Sequence, residues 1–272
     1  MVQPCRWLPL EADPLLFAQY VNALGGPVAA ALEQGDEAEQ RHEAHEAVLV
    51  FEDLLALEPW AAAMLKKPTV AVLLLFPITT ATESARREQE AAEPGRELEK
   101  NVWFTKQTVD NACGTVALLH CIANLPREKF PLQPGGFLET FLRETASLSP
   151  EARAQRLETD VALASAHRAF ETKGQSAVPA PESGVDTHFV AFVYDEKTGM
   201  LVELDGRKAR PVSHGAVLGD ATPPPRLEAV ARDQLLLKKA VEVIQKEFVD
   251  KSPGELRFQV IAVGDAHAPP QM

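Results

Sequence analysis

Two runs in this chain are apolar without alternation, and the rest of the pattern is arranged around them. Pro68-Thr-Val-Ala-Val-Leu-Leu-Leu-Phe76-Pro77 is continuously apolar between two prolines. Periodicity cannot type such a run, but its length and flanks favour a strand buried on both faces. The second run starts near Cys113 and is apolar almost all the way round, as a buried helix would be; it follows the polar, turn-prone Gln107-Thr-Val-Asp-Asn111. Two β-rich runs, His188-Phe-Val-Ala-Phe-Val-Tyr194 and Met200-Leu-Val-Glu-Leu204, flank Asp195-Glu-Lys-Thr-Gly199 and predict an antiparallel hairpin. Leu256 to Val263 reads as a final strand, and Val48 to Phe51 as a short strand or the start of the next packed unit.

Helix signals fill the intervals. Asp13 followed by Pro14 is a cap and a first-turn proline, opening a helix through Leu15, Phe17 and Val21 to Leu24, where Gly25-Gly26-Pro27 stops it. Pro59 to Leu65 predicts a short helix, and Phe137 to Thr145 another after the turn at Pro134-Gly-Gly136. Ser149-Pro150-Glu151 starts a helix that runs toward Phe170. From Leu227 to Val249 the chain is amphipathic, with Leu237, Ala240, Val241, Ile244 and Phe248 on one face. Residues 27–47, rich in Ala, Glu and Gln, read as an exposed helical insertion or loop. Thr79 to Lys100 reads as charged surface, Lys173 to Asp186 as a loop, and the end through Pro270 as frayed. Long helices between separated strands predict an α/β or α+β layered domain, read as one unit over 1–272.

The totals narrow the function. A chain of 272 residues, 46% hydrophobic and 24% charged, has an ordinary globular composition. Its net charge of −12 argues against a nucleic-acid partner and would steer a basic one inward, although acidity also serves solubility alone. Three cysteines, Cys5, Cys113 and Cys121, without metal-type pairing, point to a reducing compartment, cytoplasmic or nuclear. The N-terminus lacks the apolar stretch of a signal peptide, and Val70 to Phe76 is too short to cross a bilayer. The expectation is a protein with no membrane association.

Cys113 carries the most specific chemistry. A thiol where a polar turn meets a helix faces unpaired backbone N–H groups and the positive end of the helix dipole, which favour the thiolate. Gln107, upstream, is placed to supply an amide donor beside the same sulfur, the geometry of a nucleophile with an oxyanion hole. Such a thiol needs a base, and the base an orienting acceptor. His188 opens the first strand of the predicted hairpin and Asp205 closes the second, so the two are neighbours in space. Each group also has an ordinary reading: Cys113 as a buried core thiol, His188 as a strand-end histidine, Asp205-Gly206 as a turn. Cys121 reads as core and Cys5 as incidental. His42-Glu-Ala-His45 lacks the spacing of a zinc helix motif. His120 and His167 have no identifiable partner; His214 is a weak second candidate base. No cofactor or metal is expected.

These residues also carry a resemblance. Gln107-Thr-Val-Asp-Asn-Ala-Cys113-Gly-Thr115 resembles the active-site signature of the ubiquitin C-terminal hydrolase family. Thr187-His188-Phe-Val-Ala-Phe-Val193, followed by Glu203-Leu-Asp205-Gly-Arg-Lys208, resembles its second signature. Arg6 to Ala12, Ala71 to Ile78, Ser149-Pro-Glu151, Gly174-Gln175 and Glu255 to Phe258 match as well, so the likeness spans Arg6 to about Val263. It is closest to the small single-domain members, such as the human L3 isozyme.

The resemblance implies a papain-like thiol hydrolase with a central, mostly antiparallel sheet flanked by helices and a knotted backbone, which no pattern argument reaches unaided. It implies a monomer that cleaves small adducts or short peptides from the C-terminal glycine of ubiquitin, or of its relative Nedd8. Cys113 would be the nucleophile, His188 the base, Asp205 its orienter, and Gln107 a donor to the oxyanion. Ubiquitin would be contacted by Pro9, Leu10, Glu11, Ala12, Asp13 and Pro14, by Gly174 and Gln175, and by Glu255, Leu256, Arg257 and Phe258. A crossover loop over the active site would lie within 149–187 and admit only thin leaving groups. Residues between Gly26 and Val50 match the small members poorly. Besides an active hydrolase, two alternatives stand: a ubiquitin-holding module with little turnover, and another papain-like thiol hydrolase or acyltransferase.

Overall fold

The computed structural model describes residues 6–28, 48–92, 98–174, 185–218, 229–266 and 268. Cys5, His42, His45, Gln175 and most of the expected insertion at 27–47 lie outside the described residues. Six strands form one sheet: β1 (Leu49–Leu54), β2 (Thr69–Pro77), β3 (Thr187–Asp195), β4 (Met200–Leu204), β5 (Val212–Ala216) and β6 (Gln259–Asp265), in the order β1-β6-β2-β3-β4-β5. Every neighbouring pair is antiparallel. The apolar run at β2 is central and buried along nearly its whole length, as its flanks predict.

Helices cover both faces. Along β2 and β3 successive side chains alternate between two apolar layers, as the period of a strand requires. Ala71, Leu73, Phe189 and Ala191 face the layer built by α1 (Pro14–Ala23), α4 (Cys113–Ala123) and α5 (Phe137–Thr145). Val72, Leu74, Val190 and Phe192 face α8 (Ala229–Ile244), which contributes Leu236, Ala240 and Ile244. Each fully buried Leu or Phe in these layers contributes about 1.5–3 kcal/mol by leaving water. α4 packs directly on β3, which brings the chain around Cys113 to the strand that begins at His188.

The elements differ from the sequence pattern, or add to it, at four places. The helix expected from Ser149 to Phe170 is two, α6 (Pro150–Glu158) and α7 (Val161–Phe170). Asp160 caps the second by accepting the Leu163 N–H at 2.9 Å, and this side-chain cap breaks the run. The stretch after Thr79, read as charged surface, contains α3 (Thr80–Ala92), started by Thr79 and Thr82, whose hydroxyls accept each other's backbone N–H. The final strand begins at Gln259, because the Glu255 carboxylate holds the N–H groups of Leu256 and Arg257 outside the ladder. β5 has no counterpart in the sequence pattern, since Pro211 and Gly215 break its alternation. The short α2 (Pro59–Ala62) and the strand beginning at Leu49 follow the sequence reading, and α8 ends in a π-helical turn over Gln245–Val249.

Candidate active site

Cys113 is the first residue of α4 and is buried. The turn before it is set by Asn111, which takes a left-handed φ of 63°, a conformation Asn adopts more readily than most residues. Its Nδ2 donates to the Trp7 carbonyl at 2.8 Å, and Trp7 N–H donates to the Asp110 carbonyl at 3.0 Å. The N-terminal segment therefore clamps the turn that presents the thiol. Burial alone would push the thiol up. The hydrogen bond and charge of His188, with the N–H groups of Phe189 and Gly114, outweigh it and hold Cys113 below the ordinary thiol range.

His188 stands at the start of β3, opposite Phe76 in β2, and its ring meets the Phe76 ring edge-on at 5.7 Å. Phe76 is backed by Phe248 from the π-helical turn, so the imidazole is wedged between sheet and helix. The β3–β4 ladder ends at Ala191 and Leu204, and the next residue, Asp205, reaches back to the histidine. His188 Nε2 donates to Asp205 Oδ1 at 2.6 Å, with both side chains buried. That leaves Nδ1 for the thiol. Asp205 Oδ1 also accepts the Arg207 N–H at 2.8 Å. Burial alone would push the imidazole down; the charge and hydrogen bond of Asp205, then those of Cys113, raise it instead to about 9. Burial likewise opposes ionisation of Asp205, but His188 and Lys208 hold it well below the usual carboxylate range. The thiol moved down and the imidazole moved up both favour a thiolate–imidazolium pair, with its positive member pinned by a carboxylate.

Gln107 lies beside this set. Its backbone N–H donates to the Gly206 carbonyl at 2.9 Å and its Nε2 donates to the Val109 carbonyl at 3.2 Å. One amide proton is thus spent on orientation and the second is left to donate. Gly206 matters through its missing side chain. A Cβ there would stand 2.8 Å from Gln107 Cβ and 3.0 Å from Val116 Cγ1. Gly206→Ala should displace Gln107 and lower kcat about tenfold with KM unchanged, a fraction of what deleting an oxyanion donor costs. An unchanged kcat in steady-state assays would contradict this placement.

The residues expected to contact ubiquitin divide into two groups. Pro9 and Glu11 remain partly exposed, and Leu256 and Arg257 are exposed. The other described ones have structural work. Leu10 is buried against Gly114, at the start of the nucleophile helix. Asp13 caps α1 by accepting the Leu16 N–H, Pro14 is that helix's first residue, and the Ala12 carbonyl accepts from Gln259 Nε2 at 2.6 Å. Phe258 packs against the layer under α8. Gly174 sits so close to Glu11 that any Cβ would clash with its carboxylate, which joins the N-terminal segment to the start of the expected crossover loop. Arg257 pairs with Asp186, two residues before His188.

Several groups near the site had no role in the sequence reading. Glu203, two positions before Asp205, is buried with Lys208, and the two form an ion pair; Lys208 Nζ also donates to Gln89 Oε1 at 2.6 Å. His214, the weak second base, uses its Nε2 on Glu203 Oε2 at 2.8 Å. The i, i+2 spacing of Glu203 and Asp205 in a strand was the available signal that both acids share a face. His120 and His167, for which the sequence identifies no partner, both have them. His120 accepts the Thr105 N–H at 3.1 Å, and burial pushes it down to about 4. His167 bonds Thr115 and the Leu8 carbonyl.

A buried thiol in contact with an imidazole, itself held by a carboxylate, at the start of a helix packed on an antiparallel sheet, is the arrangement of a cysteine hydrolase. The family model described as "Ubiquitin carboxyl-terminal hydrolase, family 1" matches residues 41–247, which include Cys113, His188 and Asp205. The chain belongs to the ubiquitin carboxyl-terminal hydrolase family and is a cysteine peptidase of that class. It is 39% identical over 259 residues to ubiquitin carboxyl-terminal hydrolase 3 of Arabidopsis thaliana, covering 95% of this chain and 94% of that one. It is 37% identical over 213 residues to the human isozyme L1, covering 78% and 86%. In fold it is similar to the UCH37 catalytic domain of Trichinella spiralis, solved bound to ubiquitin vinyl methyl ester. The TM-score is 0.68 at 20% identity, over 95% of each chain.

Proposed function

We propose that this protein hydrolyses the bond after the C-terminal glycine of ubiquitin, releasing small adducts or short peptides. The contact of Cys113 with the His188–Asp205 pair at the start of α4 carries the reading. The Cys113 thiolate attacks the glycine carbonyl, and its electron pair forms the C–S bond while the carbonyl oxygen becomes an oxyanion. Gln107 and the Cys113 N–H donate to that oxygen. His188 passes its proton to the leaving amine as the C–N bond breaks, giving a thioester. Neutral His188 then takes a proton from water, whose hydroxide adds to the thioester and releases ubiquitin and the thiolate.

Substrate approach follows from charge. The net charge of −12 favours the arginine-bearing tail of ubiquitin, and Glu11 stands partly exposed beside Gly174. Sparse cysteines and a nucleophilic thiol suit a monomeric enzyme of the cytoplasm or nucleus, where the thiol stays reduced.

The test is ubiquitin carrying a C-terminal fluorogenic amide, with a matching Nedd8 substrate as the second arm. Wild-type protein should release the fluorophore from ubiquitin; absence of release from both substrates would overturn the proposal. The pH profile reads the ion pair. The rate should rise as Cys113 ionises below the ordinary thiol range and fall as His188 loses its proton near pH 9. A rate that begins to rise only in the ordinary thiol range, with no alkaline fall, would show that the pair does not form.

A further inference from the structure

A second polar line runs through the core on the other side of the nucleophile helix. Tyr20 from α1, Thr115 from α4 and His167 from α7 are all fully buried. Tyr20 Oη lies 3.1 Å from Thr115 Oγ1, and Thr115 Oγ1 lies 2.8 Å from His167 Nδ1. His167 Nε2 lies 2.7 Å from the Leu8 carbonyl. A carbonyl only accepts, so Nε2 carries the proton and Nδ1 must accept from Thr115. The direction of every bond is then fixed: Tyr20 donates to Thr115, Thr115 to His167, and His167 to Leu8.

The relay ends on the N-terminal segment. Leu8 is held twice by α7, through its carbonyl by His167 and through its N–H by Glu171 Oε2 at 3.3 Å. Trp7 covers the His167 ring at 4.3 Å, while its own backbone is clamped to Asp110 and Asn111. Three residues on from Trp7, Leu10 packs on Gly114; one further, Glu11 packs on Gly174. Residues Trp7 to Glu11 thus form a wall fastened to the turn before Cys113, to α4 and to the end of α7. Three apolar side chains would fill the same core space without a directional requirement. What the polar chain adds is a fixed position for one backbone carbonyl.

We propose that the Tyr20–Thr115–His167 relay is a positioning device for the segment Leu8 to Ala12, which carries the partly exposed Glu11, with Thr115 and His167 as its positioning residues. It sets the distance of that segment from the nucleophile helix and contributes to substrate binding, not to the reactivity of Cys113. The inference rests on the proposed ubiquitin substrate for its kinetic readout, and on the segment's own order for a readout independent of substrate.

Thr115→Val keeps the shape of the side chain and removes the donor to His167; Thr115→Ser restores it. Three quantities decide. KM for the fluorogenic ubiquitin amide should rise about tenfold in Thr115→Val, the scale of one lost buried hydrogen bond, with kcat within about twofold. Alkylation of Cys113 by iodoacetamide should keep its wild-type rate. Hydrogen exchange over residues 7–13 should quicken in Thr115→Val and return in Thr115→Ser. Unchanged KM with unchanged exchange would overturn the proposal. So would a fall of kcat and alkylation rate together, which would place the relay's effect on the nucleophile. If the wild type releases no fluorophore, the function proposal fails and the exchange comparison alone decides on the relay. Should Thr115→Val not fold, Tyr20→Phe removes the donor at the far end, and its exchange and KM shifts must have the same sign.

Discussion

Cys113→Ala should lose turnover of the fluorogenic ubiquitin amide by about 10⁴-fold or more, while still binding ubiquitin as tightly as the wild type. The loss is large because no neighbouring group can replace the sulfur. Cys121, two turns further along α4, is fully buried, and burial pushes its thiol up to about 12. The fold should survive, since alanine suits a first helical turn and the deleted atom is small. Cys113→Ser should be nearly as inactive: a hydroxyl has far too high a pKa for His188 to ionise it as it does the thiol. Steady-state assays with a binding titration check both halves. Residual turnover at about a tenth of wild type would remove Cys113 from the nucleophile's role, and loss of binding with turnover would mean the variant had misfolded.

Asp205→Asn should lower kcat/KM about 10²- to 10⁴-fold. Asp205 accepts from both His188 Nε2 and the Arg207 N–H through one oxygen, at 2.6 and 2.8 Å. An amide in its place carries no charge and presents an N–H on one side. The imidazolium then loses the interaction that outweighs its burial, so its pKa falls. The sign is fixed: a group whose proton is held by a partner releases it at lower pH once the partner is neutral. The alkaline limb near pH 9 should therefore move toward neutrality, and Cys113 should alkylate more slowly at neutral pH. An unshifted limb with reduced kcat would mean that Asp205 acts only as a structural anchor.

How far the sequence reached can be judged from particular residues. β2 was legible because a dense apolar run between prolines has few other uses, and the β3–β4 hairpin because Gly199 marks its turn. The hairpin in turn made the proximity of His188 and Asp205 legible, and the structure brings those side chains together with Cys113. The sequence did not reveal the break at Asp160, because a cap inside an Ala-rich stretch looks like one more polar residue. It did not reveal the left-handed Asn111 or the closeness of Gly206 to Gln107, since both depend on how distant segments approach. The buried partners of His120, His167 and Lys208 were invisible for the same reason: a histidine or lysine in a sequence carries no mark of what it will face. The burial of Leu10 was equally invisible, because the motif that carries it does not show what packs on it.

Cys113 is proposed as the acyl-accepting nucleophile toward ubiquitin. Ubiquitin carrying a C-terminal electrophile, incubated with the protein and mapped by peptide mass spectrometry, tests it most directly. One covalent adduct is expected, on Cys113, absent from Cys113→Ala. An adduct on Cys5 or Cys121, or none at all with intact protein, would contradict it.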